Sequence, residues 1–120
     1  MDARLREGIG LFNEARFFEC HEALESFYLE TDDANKPFLE GLVQLAAALR
    51  IFTDFGEIKG PVRMVRQALI RFENYQPAFM QVAVAELSAG LEAWAKATEA
   101  GGAVSPSIPK IQLQASSLFS

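Results

Sequence analysis

His21, Glu22 and Glu25 fall within one short run, Phe17-Phe18-Glu19-Cys20-His21-Glu22-Ala23-Leu24-Glu25. On a helix, side chains at i and i+4 project from one face, so the His21 imidazole and the Glu25 carboxylate can reach a common ion or each other. Glu22 and Glu25 make an i, i+3 carboxylate pair on the same side. Imidazole and carboxylate together suit zinc, iron or manganese, and a metal-bound hydroxide attacks carbonyl and phosphoryl centres. In that chemistry His21 and Glu25 hold a divalent ion and Glu22 is the general base. The same residues support a second arrangement without an ion. Glu25 accepts a hydrogen bond from His21, and Gln44 with backbone groups completes a buried polar network that fixes helix register. The spacing is HExxE, not the HExxH of zinc proteases, and the chain has a single histidine, so an ion would depend on oxygen ligands. Cys20 lies on the apolar side of the same helix, where a thiol packs as a small hydrophobe.

These side chains must be held by helices, because helical periodicity runs through most of the chain and period-2 alternation is nearly absent. A first helix over about residues 2–14 aligns Leu5, Ile9 and Phe12, with Asp2 as its N-cap. The second, over about residues 16–31, places Phe27, Cys20, Leu24, Phe17 and Tyr28 on one apolar arc and Phe18 and Leu29 beyond it. His21 and Glu25 fall between these two sets, which predicts that both are at least partly buried and need partners. The third helix, over about residues 37–54, is apolar nearly all round and belongs at the centre. Its small face of Gly41, Gln44 and Ala48 admits a close neighbour and makes Gln44 the candidate partner of His21 and Glu25. A fourth helix spans about residues 61–74, and a fifth runs from beyond Pro77 to about Ala97 with Met80, Val84, Leu87, Leu91 and Trp94 in register. The sequence thus predicts an all-α fold, a compact bundle of about five helices over residues 1–100. Residues 101–120 form a non-helical C-terminal tail in which Ile108, Ile111, Leu113, Leu118 and Phe119 can fasten an extended strap across the bundle.

Composition narrows the function classes. The chain has 120 residues, half of them hydrophobic, a net charge of −5 and one cysteine. That length suits one domain. The single cysteine excludes an intrachain disulfide and a Cys-rich zinc module, and a reducing, cytoplasmic setting follows as the expectation. The charged N-terminal residues do not read as a secretory signal, and the apolar stretch from Phe38 to Phe52, interrupted by Glu40, Gln44 and Arg50, is too short to span a membrane. An acidic field repels polyanions, so nucleic acid is not an expected partner. Lys59, Arg63, Arg66 and Arg71 form the local exception, read as a solvated helix face or a small-anion site. An apolar face of the fourth and fifth helices is available for a partner or for assembly into a homo-oligomer.

Two longer stretches carry a resemblance. Phe12-Asn13-Glu14-Ala15-Arg16-Phe17-Phe18-Glu19-Cys20-His21-Glu22-Ala23-Leu24-Glu25, followed by Phe38-Leu39-Glu40-Gly41-Leu42-Val43-Gln44-Leu45-Ala46, resemble the domain-of-unknown-function family 309, with its FNxGxFFExHExLE segment and FxxGLIQxA helix. The resemblance implies a compact helical fold and a metal-dependent hydrolase activity, the activity often ascribed to that family. It points to Asn13, Glu19 and Gln44 as binding residues beside His21, Glu22 and Glu25. Ala15 stands where the family has glycine, which predicts a turn without a positive φ. Arg50, Ile51 and Phe52 stand where family members often carry histidine.

Overall fold

The computed structural model describes residues 1–32, 34–102 and 106–114. Among them are five α-helices: α1 (Ala3–Asn13), α2 (Phe17–Glu30), α3 (Lys36–Phe55), α4 (Lys59–Phe72) and α5 (Val84–Ala100). A short 3-10 turn at Glu73–Tyr75 follows α4. The all-α architecture is the one the periodicity predicts, with α3 between α2 and α4. None of these helices is long and apolar enough to cross a membrane.

Local chemistry sets the helix ends. Asp2 caps α1, its carboxylate accepting from the Arg4 amide at 2.8 Å, so one of the four unpaired N-terminal donors is satisfied. The other end of α1 closes through Ala15, whose N–H donates to the Phe12 carbonyl at 2.9 Å, while the Arg16 N–H donates to that of Leu11 at 2.9 Å. This pair of bonds is the Schellman pattern, which places the intervening residue in the left-handed region. Ala15 has φ 60°, contrary to the expectation that alanine marks a turn without a positive φ. The two bonds and the packing of Phe12 against Phe17, with ring centroids 5.3 Å apart, hold it there at some conformational cost.

The core is built from one stripe of each helix: Leu5, Ile9 and Phe12 of α1, Phe17, Cys20, Leu24 and Phe27 of α2, most of the α3 circumference, Val62, Val65 and Phe72 of α4, and Leu87, Leu91 and Trp94 of α5. Two glycines allow close approach. A Cβ on Gly8 would lie 2.5 Å from Leu24, and one on Gly41 would lie 2.7 Å from the Phe72 ring. The small face of α3 therefore receives α4, not α2.

α5 starts later than its apolar spacing predicts. Phe79 and Val82 exchange both backbone hydrogen bonds, at 3.1 and 2.8 Å, around Met80 and Gln81 with φ of 50° and 67°. Two consecutive left-handed residues make a tight hairpin turn in place of a helical one. Met80 keeps the helical phase of Val84 and Leu87, but the backbone here finds better partners in the tail. Ala83 N–H donates to the Gln112 carbonyl at 2.9 Å, and Gln114 N–H to that of Gln81 at 2.7 Å. Residues 106–114 run extended over the bundle with Ile111 buried. Leu118 and Phe119 lie outside the described residues.

Candidate functional site

The buried arc of α2 is narrower than the sequence suggests. Phe17, Cys20, Leu24 and Phe27 are enclosed, whereas Phe18 is 44% exposed and Leu29 66% exposed. The second apolar set counted as a flanking wall thus faces water. His21 sits at the margin of the buried arc and Glu25 beyond it, with side-chain exposures of 31% and 49%. The expectation of at least partial burial holds for His21 and is corrected for Glu25, which is exposed. The imidazole still meets its acid: His21 Nε2 lies 3.4 Å from Glu25 Oε2, long for a hydrogen bond. Both side chains, with Glu22, Phe18 and Leu29, line an open groove of about 510 Å³ walled on one side by Arg50 of α3.

Arg50 is the residue the sequence reading did not single out as functional. Its guanidinium carbon lies 4.4 Å from the Phe18 ring centroid and 6.0 Å from that of Phe55, which is also exposed. Its Nε is buried without a hydrogen-bond partner among the described residues, and the nearest acid, Asp54, is 3.6 Å away. A cation held between two phenyl rings gains from both ring faces and keeps its remaining donors available. The spacing carries no signal for Arg50, only for the stripe it adjoins: Phe18, Glu22, Glu25 and Leu29 stand at i, i+4, i+7 and i+11 along the outer side of α2.

The remaining predicted site residues are dispersed. Gln44 lies on the α3 face that packs α4, where its Nε2 donates to Gln67 Oε1 at 2.8 Å. It is not part of a network with His21 and Glu25, because Gly41, Gln44 and Ala48 turn towards α4. Asn13 is a structural clamp: its Nδ2 donates to the Ile111 carbonyl at 3.0 Å, and its Oδ1 accepts from the Ile111 amide at 2.7 Å. Glu19 pairs with Arg16 at 2.8 Å, and that hydrogen-bonded guanidinium holds its carboxyl below the usual carboxylate range. Burial pushes the Cys20 thiol up to about 12, so the thiolate a nucleophile needs is negligible at neutral pH. Within the basic cluster of α4, Arg66 forms a two-bond pair with Glu99 at 2.8 and 3.1 Å and Arg71 pairs with Glu40 at 3.1 Å, leaving Lys59 and Arg63 exposed.

Among the described residues, no three His, Cys, Asp or Glu side chains converge in a way that could hold a metal ion. His21 and Glu25 supply two donors in an open setting, short of the three protein ligands of a catalytic zinc site. What the site does offer is a helical surface with apolar ends, two acids at its centre and an arginine along one edge. Comparison with curated proteins finds no match. Residues 5–64, half of the chain, match the model of the family described as Domain of unknown function (DUF309), and the protein belongs to that family.

Proposed function

We propose that this protein is a helical interaction module that binds through the outer stripe of α2 and the adjoining Arg50 edge of α3. The observation that carries the reading is the exposed stack of Phe18, Arg50 and Phe55 beside Leu29 and the Glu22/Glu25 pair. Aromatic rings and arginine are the residue types that concentrate at the centres of protein interfaces, and a half-exposed phenylalanine gains by being covered. In this reading His21 and Glu25 orient one another at 3.4 Å and present a polar centre to a partner segment, and the single buried thiol suits a cytoplasmic setting. The metal-dependent hydrolase that the resemblance implies stands second. Its support is the shared groove of His21, Glu22 and Glu25, and it lacks a third converging ligand among the described residues.

Selection of helical peptides from a displayed library against the folded protein tests the reading. Peptides that enrich are expected to lose affinity about tenfold or more on a Phe18→Ala, Leu29→Ala protein, as for apolar anchors at an interface centre. Enriched peptides whose binding is indifferent to both changes would overturn it. Metal analysis supplies the counter-test: a stoichiometric ion that disappears in His21→Ala would favour the hydrolase.

A further inference from the structure

The outer stripe of α2 has a counterpart on α4. Along α2, Phe18, Glu22, Glu25 and Leu29 are spaced by four, three and four residues, and all four face solvent. Along α4, Lys59, Arg63, Arg66 and Ile70 repeat the same spacing, bordered on one side by the buried Val62 and turned away from the buried Val65, Ala68 and Phe72. Residues at such spacing lie within about 60° of one another on the helix surface, so each set forms a straight seam about 16 Å long. The first seam is apolar, acidic, acidic, apolar. The second is basic, basic, basic, apolar, with Ile70 65% exposed. Arg63 has no ion pair among the described residues, Glu22 has none, and Glu25 has only His21.

Resting on the interaction-module reading, we infer that the partner of the α2 seam is the α4 seam of a second copy of this chain. Laid against one another in either direction, the seams set Arg63 and Arg66 opposite Glu22 and Glu25. An apolar end of α2 then covers Ile70, and the other covers the aliphatic stem of Lys59. Arg66 stays paired with Glu99 at 2.8 Å, so its role is to add to the field while Arg63 makes the new contact. α2 and α4 pack on different sides of α3, so the contact joins unlike surfaces, and copies add head to tail until a ring closes or the series ends. Opposed charges fix register and partner, whereas the apolar ends supply area, so the contact weakens with salt.

The test is a charge-exchange experiment by sedimentation. One variant carries Glu22→Lys with Glu25→Lys. The other carries Lys59→Glu with Arg63→Glu, which leaves the Arg66–Glu99 pair intact. Circular dichroism confirms that both fold, as expected for exposed positions. The unaltered protein is expected to self-associate in a concentration-dependent way in low salt and to weaken about tenfold or more in about 1 M salt, where the Debye length is about 3 Å. Each variant alone is expected to be monomeric, with like charges on both seams, and an equimolar mixture of the two to associate again. Restoration in the mixture is the decisive result, because a general loss of solubility or stability cannot produce it. An unaltered protein that stays monomeric at about 1 mM, or variants that associate as well alone as together, would overturn the inference. If the protein stays monomeric while displayed peptides still bind at Phe18 and Leu29, the module reading survives with a different partner. If variant proteins misfold, single Glu25→Lys and Arg63→Glu changes repeat the exchange at half the charge.

Discussion

The two long sides of α2 make an instructive pair. The inner stripe, Phe17, Cys20, Leu24 and Phe27, is buried against α1 and α3. The outer stripe, Phe18, Glu22, Glu25 and Leu29, has a similar helical spacing and also begins and ends on large apolar residues, yet it stays in water. The difference lies in what stands between the ends. Cys20 and Leu24 can leave water with nothing to offset, whereas two carboxylates in the middle of a seam cannot be buried without cations to meet them. The fold therefore chooses the inner stripe, and the outer one is left for something that brings its own positive charge.

Four changes bear on this contrast. Leu24→Ala, in the inner stripe and in van der Waals contact with Gly8, should destabilise the protein by about 3 kcal/mol in chemical denaturation. Leu29→Ala, the matching deletion in the outer stripe, should stay within about 0.5 kcal/mol of the parent. Equal losses would mean that the outer stripe is part of the fold and not a free surface. Asn13→Ala removes the donor and the acceptor that hold Ile111 and should cost about 1–2 kcal/mol. Amide exchange at Ile111 should quicken while that of α2 stays slow; loss of protection along α2 as well would show that the tail, not the inner stripe, sets helix stability. Ala15→Gly relieves the left-handed residue at the turn that feeds α2 and should stabilise by about 0.5–1 kcal/mol, read as a higher denaturation midpoint. A lower midpoint would mean that the alanine methyl contributes packing worth more than the strain.

Much of the fold was legible because helix-forming stripes and stop signals agree. Asp2 before α1, Pro37 in the first turn of α3 and Gly56 at its end, with φ 68°, mark boundaries by local chemistry. What was not legible depended on contacts between distant segments. The start of α5 at Val84 follows from hydrogen bonds to Gln112 and Gln114, about thirty residues away, which no local window contains. The candidate site was half legible for the same reason. That His21, Glu22 and Glu25 share a side of α2 follows from helical geometry, and they do line one groove. Whether Gln44 joins them depends on which side of α3 receives α2, and the small Gly41/Ala48 face turned out to belong to α4. In the sequence Arg50 reads as an interruption in an apolar run and as a departure from the histidine often found there in the family, and neither reading points to a guanidinium beside two phenyl rings.

The Asn13 clamp has a consequence for biosynthesis. Its two hydrogen bonds join positions 98 residues apart, so when the ribosome has already released α1 to α4, the end of α1 still has its amide in water. Nascent chains must carry the bundle with the Ala83 amide and the Gln81 carbonyl also unpaired, until residues 111–114 emerge and close both gaps together. Quality-control proteases that probe newly made chains would find their opening in that interval, and it closes once residues 111–114 are in place.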